Sequence, residues 1–291
     1  MKRSKKERKV KFAPLPARGV IRITGPDARS LLQGLITNDI MTVSPERAIY
    51  AALLTPQGKY LFDFLIAQQG EALLMDCERG RLDDLLHKLM LYRLRAEVDF
   101  ANVSDDMPVG VLFGDGAAAR AGLPPETGAC ARRDDGLAFV DPRQAALGVR
   151  ILGAPGALAQ DATAAGASDY DAHRLTLGVP EGSRDMLVNK SLILECGFEE
   201  LNGVDFTKGC YVGQEQTART KHRATLRHAL FPVVLRGPAP PPGTPVMASD
   251  KTVGVLGSSA SGRALARLRI SDVEAGLPLT AGDAALEVRR S

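Results

Sequence analysis

The sequence predicts an α+β protein that ends in a small all-β domain. Strand-type runs mix with amphipathic helical stripes over residues 18–103, and short β-type runs follow a proline-rich linker at residues 237–245. No glycine-rich phosphate loop of the dinucleotide or Walker type is present, which argues against a parallel nucleotide-binding sheet. With 291 residues, the chain is long enough for two or three domains.

The first region combines short strands with two helices. Asp27 suits the N-cap of the first helix, and the Pro56-Gln-Gly58 turn predicts a hairpin. The predicted elements are strands at residues 18–24, 49–54, 60–67, 72–76 and 97–103, and helices with apolar stripes at Leu31, Leu32, Leu35 and Ile36 and at Leu82, Leu85, Leu86 and Leu89.

The remaining elements predict a second lobe and a β domain. They are strands at 109–113, 137–140, 226–235, 252–257 and 264–270, and helices at 168–177 and 214–223. We therefore expect a disordered basic tail at residues 1–16, a central α+β region formed by 17–103 and 168–228, a second α+β lobe at 104–167, and a barrel-like domain at 229–291.

Positive charge is concentrated at the N-terminus. The first eleven residues contain seven Lys or Arg and one Glu, a net +6, which leaves −3 for the rest of a chain whose total is +3. We expect this tail to be a solvated terminus, with weak RNA contact as the alternative. It has no apolar segment of the signal-peptide type.

The four cysteines, Cys77, Cys130, Cys196 and Cys210, are widely separated and form no C-x-x-C pair. This argues against a disulfide scaffold, a zinc ribbon or a cluster held by this chain alone. We therefore expect a reducing, cytoplasmic location. No uncharged apolar run approaches the length of a membrane span.

The most informative segment is Lys208-Gly-Cys-Tyr-Val-Gly-Gln-Glu215. Cys210 lies two residues after Lys208 and just ahead of the helix predicted at residues 214–223, and both the cation and the helix start favour the thiolate form. Gly209 and Gly213 permit positive φ or close approach to a ligand. We assign the chemistry to Cys210, with Lys208 as the nearby cation; the alternative is a small buried cysteine.

Several segments resemble one family in order along the chain. Phe206 to Arg219 closely resembles the signature of the YgfZ-type folate-binding proteins, relatives of the glycine cleavage T-protein and of a mitochondrial iron–sulfur assembly factor. The weaker matches are Leu32-Gln-Gly-Leu-Ile-Thr-Asn-Asp39, Thr55-Pro-Gln-Gly-Lys59, Tyr92-Arg-Leu-Arg95 and Arg174 to Asp185. The resemblance covers about residues 18 to 270 and implies a three-lobed architecture with a central cleft.

The resemblance also implies a site for tetrahydrofolate or another reduced folate in the central region. Asp63 and Glu195 correspond to the family's folate-reading acids; the alternatives are ordinary solvent-facing positions. We expect Asn38 and Asp39 either to line the cleft or to cap a turn. We expect three arginines either to hold a carboxylate of the ligand or to be surface cations: Arg93, Arg95 and Arg174. In the signature itself, Tyr211, Gly213, Gln214 and Glu215 are expected to contact the ligand.

Histidines add little to the predicted site. His222 could pair with Cys210, although no third orienting group stands out. The family's usual histidine and glycine in this stretch are replaced by Lys221 and Ala224, so a role for that histidine cannot be carried over.

Two function classes follow. The first is a folate-dependent factor in iron–sulfur cluster assembly or repair, in which Cys210 ligates a cluster transiently shared with an A-type scaffold protein. Such a factor affects tRNA modification through cluster-dependent enzymes. The alternative is a tetrahydrofolate-dependent aminomethyl or one-carbon transferase, but that branch lacks the cysteine. An RNA-binding module would depend on the tail and residues 219–227, and the acidic body argues against it.

Overall fold

The computed structural model describes residues 10–133, 136–223 and 226–289. The strands in chain order are β1 (Lys11–Pro14), β2 (Arg18–Thr24), β3 (Ile49–Leu54), β4 (Tyr60–Gln69), β5 (Ala72–Glu78), β6 (Asp99–Asn102), β7 (Val109–Phe113), β8 (Cys130–Arg133), β9 (Gly136–Val140), β10 (Val149–Gly153), β11 (Thr163–Ala164), β12 (His228–Arg236), β13 (Pro245–Ala248), β14 (Lys251–Ala260), β15 (Arg263–Arg269), β16 (Leu279–Ala281) and β17 (Ala284–Val288). The α-helices are α1 (Ala28–Gln33), α2 (Leu82–Arg93), α3 (Ala117–Arg120), α4 (Gly156–Gln160), α5 (Ala167–Thr176), α6 (Gln214–Arg223) and α7 (Ile270–Glu274).

The chain divides into two compact units. The first comprises Met1–Leu31, Ile40–Tyr50 and Phe64–Tyr170, and the second comprises Leu32–Asp39, Ala51–Asp63 and Asp171–Ser291. Apart from the end of the expected disordered tail, the domain limits predicted from the sequence stay a prediction.

The first unit contains a six-stranded sheet with the order β11-β1-β7-β10-β9-β8. Most of its neighbours are antiparallel, and apolar side chains such as Leu112, Val140 and Ile151 form its core. One predicted boundary is wrong here: residues 11–14 of the expected disordered tail form β1, which pairs with β7. The apolar residues Phe12, Ala13 and Leu15 explain this, because their side chains pack against the sheet, whereas the side chain of Lys11 is exposed to solvent. Residues 1–9 lie outside the described residues.

A second sheet has the order β3-β4-β5-β2-β6. Its pairs β2/β5, β2/β6 and β4/β5 are antiparallel, as expected for an α+β protein rather than a parallel nucleotide fold. The predicted hairpin between β3 and β4 is confirmed, because the amide of Thr55 donates to the carbonyl of Lys59 and Gly58 has a φ of 70°. The helix predicted through Ile36 ends instead at Gln33, immediately before Gly34.

In the second unit, six strands close a barrel in the order β12-β15-β14-β13-β16-β17. Closure leaves no free sheet edge, and side chains such as Val233, Val246, Leu256 and Leu268 fill the interior. The predicted C-terminal barrel is therefore confirmed. No helix in the described ranges is both long and apolar enough to cross a membrane.

Candidate functional site

Cys210 lies on an exposed loop of the second unit, between the turn at residues 206–208 and helix α6. The other three cysteines are buried, so Cys210 is the one cysteine of the chain that presents its thiol at the surface. This excludes the alternative of a small buried hydrophobe. Burial raises the pKa of Cys196 to about 12, with a contribution from Glu195, and burial likewise raises that of Cys130 to about 12, which keeps both in the unreactive thiol form.

Lys208 fastens this loop to the last residue of α1 and to the segment that follows the helix. Its Nζ donates to the carbonyl oxygens of Gln33 at 2.8 Å, Ile36 at 2.8 Å and Asn38 at 2.9 Å. These three bonds use every donor of the ammonium group. Burial lowers the pKa of Lys208 to about 8, although the charges of Asp39 and Asp205 act to raise it. The early end of α1 supplies the acceptors, because it leaves those carbonyls outside a helical hydrogen-bond ladder.

This arrangement differs from the one expected for thiol activation. The three donors of Lys208 are directed at backbone carbonyls, and α6 begins only at Gln214, four residues beyond Cys210. A helix terminus acts mainly within its first turn. The structure therefore gives Lys208 a positioning role, and a catalytic role for it stays a prediction.

Asp205 is a further organising residue that sequence reasoning missed. Its Oδ1 accepts hydrogen bonds from the amide and the hydroxyl of Thr207, both at 2.6 Å, and from the amide of Lys208 at 3.2 Å. Burial acts to raise the pKa of Asp205, but these bonds outweigh it and hold the pKa below its usual range. An Asp two residues before Thr is a typical Asx-turn signal and could have identified this residue.

The other half of the motif packs against the β3–β4 hairpin. Gly213 has a φ of 84°, and a Cβ there would lie 2.6 Å from the carbonyl oxygen of Thr55. Tyr211 is buried, and the centre of its ring lies 5.2 Å from Lys208 Nζ. By contrast, a Cβ on Gly209 would meet nothing within 4 Å. Gly213 is thus required by the fold, whereas the space beside Gly209 and Cys210 is open.

Helix α6 presents polar residues next to the loop. Glu215 and His222 are exposed, and Gln214 is half-buried. Lys221 forms an ion pair with Glu199, and its Nζ lies 5.4 Å from the centre of the exposed Phe206 ring. Ligand contacts for Tyr211, Gly213, Gln214 and Glu215 stay predictions, and Ala224 lies outside the described residues.

Asn38 and Asp39 stabilise the same loop. Asn38 Nδ2 donates to the carbonyl oxygen of Asn202 at 2.8 Å, and its Oδ1 accepts the amide of Asp39 at 2.8 Å. Asp39 accepts a hydrogen bond from Gln33 Nε2 at 2.9 Å. These contacts match the turn-forming alternative, while a role in folate binding stays a prediction.

Asp63 and Glu195 are buried carboxylates of the second unit, which excludes the solvent-facing alternative. Their charges both act to raise the pKa of Cys196, so they lie close to that sulfur. Asp63 accepts the hydroxyl of Tyr60 at 2.8 Å, and Glu195 accepts Arg267 Nη2 at 2.7 Å. Sequence reasoning missed Arg267, because it lies 72 residues from its partner.

The prediction that Arg174 holds a ligand carboxylate needs correction. Its side chain is fully buried and pairs with the chain's own Asp171, Glu181 and Asp185, while Nη2 donates to Ser258 at 2.6 Å. Burial acts to lower the pKa of Arg174, but the three carboxylates outweigh it and raise the pKa above its usual range. A guanidinium enclosed by three internal acids is structural rather than available to a ligand.

Arg93 belongs to the first unit. It ends α2, donates to the carbonyl oxygen of Val98 at 3.2 Å and pairs loosely with Asp99 at 3.8 Å. Arg95 is exposed. Folate binding by Arg93 stays a prediction.

Chemically, the Cys210 loop offers one exposed soft ligand on a firmly held backbone. Over the described residues, no group of three or more His, Cys, Asp or Glu is arranged to hold a metal ion.

Comparisons with known proteins agree with this architecture. The model of the GCVT N-terminal domain matches residues 9–148, and that of the CAF17 C-terminal beta-barrel domain matches residues 227–291. The human "Iron-sulfur cluster assembly factor IBA57, mitochondrial" is 35% identical, over 93% of this chain and 81% of the human protein. The Mus musculus protein of the same name is 32% identical, over 91% of this chain and 76% of its own.

A crystal structure of the glycine cleavage system aminomethyltransferase T from Bartonella henselae has a TM-score of 0.78 at 15% identity, covering 98% of this chain and 86% of that one. This likeness confirms the predicted T-protein-like fold. The YgfZ-type assignment within that superfamily stays a prediction.

The predicted cytoplasmic location is wrong, because these relatives are named as mitochondrial proteins. The error has a physical source. Unpaired cysteines indicate only a reducing compartment and do not identify which one.

Proposed function

We propose that this chain, which belongs to the IBA57 family of iron–sulfur cluster assembly factors, presents the Cys210 thiol as one ligand of a cluster shared with a scaffold protein. The observation that carries the proposal is the exposure of this single thiol on an anchored loop. A thiolate is a suitable donor for iron, and one cysteine supplies one of the four protein ligands that a cluster needs. The remaining ligands come from the partner, for which we propose an A-type scaffold.

The open space beside Gly209 supports this proposal. A cluster held by another protein must approach Cys210 closely, and the neighbouring position offers no steric barrier, since a Cβ there would meet nothing within 4 Å. The cluster is cargo in this scheme, and the downstream effect is on cluster-dependent enzymes, including tRNA-modifying ones.

The test is anaerobic spectroscopy of this protein mixed with a cluster-loaded A-type scaffold. The wild type should change the visible circular dichroism of the cluster, and Cys210→Ala should abolish that change. Gly209→Ala is the matched control, because it keeps the thiol and its added methyl group meets open space. An unchanged spectrum with the wild type would contradict the shared cluster. In cells whose only copy carries Cys210→Ala, the activity of a cluster-dependent tRNA methylthiolase should fall.

We further propose that the second unit binds a reduced folate through Asp63 and Glu195. Two buried carboxylates close to one sulfur support this, because a carboxylate can read the donor edge of a pterin. Asp63→Asn should weaken tetrahydrofolate binding about tenfold or more in calorimetry, since it replaces a charged acceptor. The exposed Asp250→Asn is the control. Equal affinity of Asp63→Asn and the wild type would show that the pterin binds elsewhere.

The one-carbon transferase alternative gains support only from the shared fold, and a fold does not determine the reaction.

A further inference from the structure

The loop that carries Cys210 has an inner and an outer side, both formed by residues of the second unit. On the inner side, Lys208 and Tyr211 are buried and Asp205 is half-buried. The residues between these three are all exposed: Phe206, Thr207, Gly209 and Cys210. We call these four residues the outer strip. Because the inner side chains occupy the side that faces the protein, the Phe206 ring and the Cys210 thiol share the solvent-facing side.

The backbone of the outer strip is held firmly on both sides of Phe206. The amide of Asp205 donates to the carbonyl oxygen of Thr37 at 3.0 Å, and the ammonium group of Lys208 donates to three further carbonyls. These bonds fix the loop without the Phe206 ring, which is 37% exposed. An aromatic side chain on a rigid backbone loses little conformational freedom when a partner covers it, which is typical of interface anchors.

The outer strip itself carries no charged residue. The hydroxyl of Thr207 donates to Asp205 Oδ1 at 2.6 Å, and the ammonium group of Lys221, which lies over the Phe206 ring, is paired with Glu199. Among the described side chains, the other exposed charges on α6 and beside Glu199 are of mixed sign: Glu200, Glu215 and Arg219. The strip therefore fits an uncharged, apolar surface of a partner better than a surface of either charge.

The position of Cys210 determines what covers the outer strip. Phe206 precedes Cys210 by four residues, so their Cα atoms lie within about 14 Å of each other, and the bend at residues 206–208 shortens this distance. Even a small, transient interface of about 600 Å² per partner, centred on the thiol, reaches about 14 Å from its centre. A scaffold protein that brings a cluster to Cys210 therefore also covers Phe206.

We propose that the outer strip is the contact surface for the scaffold protein, with Phe206 as its aromatic anchor and an uncharged apolar surface beside the cluster as its counterpart. The identity of that partner rests on the proposed function. Contacts around an anchor exclude water from the centre of an interface. The contact with Phe206 should therefore both strengthen binding and lengthen the lifetime of the shared cluster.

The test is titration of a cluster-loaded A-type scaffold, followed by visible circular dichroism. Phe206→Ser should reach the same final spectrum as the wild type, because Cys210 is unchanged, but with about tenfold weaker affinity. Its shared cluster should also lose iron to a chelator faster. Phe206→Leu keeps an apolar side chain and should recover most of the affinity. Leu277→Ser, at a residue 44% exposed in the C-terminal barrel domain, is the control and should behave like the wild type.

Gly209→Glu is a second variant, and it leaves the inner side of the loop untouched. A Cβ at this position would meet nothing within 4 Å, so the variant should melt at the temperature of the wild type. Its charge lies in the outer strip and should weaken binding to an apolar surface about tenfold, whereas Gly209→Ala should bind normally. Weaker binding at an unchanged melting temperature would not arise from a misfolded loop.

Failures of the two proposals are distinguishable. Equal affinity and equal cluster lifetime in the wild type, Phe206→Ser and Gly209→Glu would overturn the contact surface and leave the shared cluster intact. A wild type that causes no spectral change would overturn the shared cluster and the contact surface with it. A change that Cys210→Ala abolishes, and that Phe206→Ser shifts to higher concentration, would support both.

Discussion

Replacing Lys208 by methionine removes the three hydrogen bonds that fasten the Cys210 loop. Methionine keeps a long unbranched side chain but has no donor. A hydrogen bond to a charged group contributes about 1.5–3 kcal/mol. Since one ammonium makes all three bonds and its burial is itself unfavourable, we expect the free energy of unfolding to fall by about 2–4 kcal/mol rather than by their sum.

The assay is urea unfolding combined with hydrogen exchange. The amides of Asp205 and Val212 donate to the carbonyls of Thr37 at 3.0 Å and Gly34 at 3.1 Å, so they report on the junction directly and should exchange faster in Lys208→Met. Lys251→Met is the control, because Lys251 is exposed and its ion pair with Asp272 is long, at 3.9 Å. This substitution should change the free energy of unfolding by less than about 0.5 kcal/mol.

The pH dependence has a definite sign. Burial lowers the pKa of Lys208 from 10.5 to about 8 in the folded protein. Between these values the unfolded chain binds more protons than the folded one, so the stability of the wild type relative to Lys208→Met should rise with pH across that window. An unchanged unfolding midpoint in Lys208→Met, with unchanged exchange at Asp205 and Val212, would refute the positioning role.

Three further predictions follow from the second unit. Arg174→Met should destabilise it by about 3–5 kcal/mol in urea unfolding, because the fully buried Asp185 loses its cation, while Asp171 and Glu181 keep only Arg184. A loss below about 1 kcal/mol would contradict the structural role. Gly213→Ala should cost about 2 kcal/mol or more, whereas Gly209→Ala should be nearly neutral, and equal melting temperatures would show that the contact of Gly213 with the hairpin is not close. A thiol reagent should modify one cysteine quickly in the native protein and none in Cys210→Ala; fast reaction of Cys196 would contradict its burial.

Strands and helices were predicted well where the sequence of the segment itself shows a clear strand or helix pattern with clear ends. Strands β2 and β7 and helix α6 begin and end at the predicted residues, because apolar β-type runs and a polar helix-forming run are each bounded clearly. Strand β1 was missed, since the charge of the preceding lysines and arginines dominated the interpretation of the tail. The early end of α1 was missed because its apolar stripe continues through Leu35 and Ile36, which are buried without being helical.

The site was predictable in its central residue but not in its contacts. The motif, with Gly209 directly before Cys210 and Gly213 three residues after it, favoured an exposed thiol over a buried one, and Cys210 is exposed. The acceptors of Lys208 lie 170 to 175 residues away, and those of Arg174 include Ser258, 84 residues away. No local pattern encodes such pairings, so both side chains were first interpreted through their charge alone.

The most direct measurement is the anaerobic circular dichroism of a cluster-loaded A-type scaffold titrated with the wild type and with Cys210→Ala. We expect a saturable spectral change with the wild type at one equivalent and none with Cys210→Ala. The same change with both proteins would show that the cluster takes no ligand from Cys210, and the shared cluster would have to be abandoned.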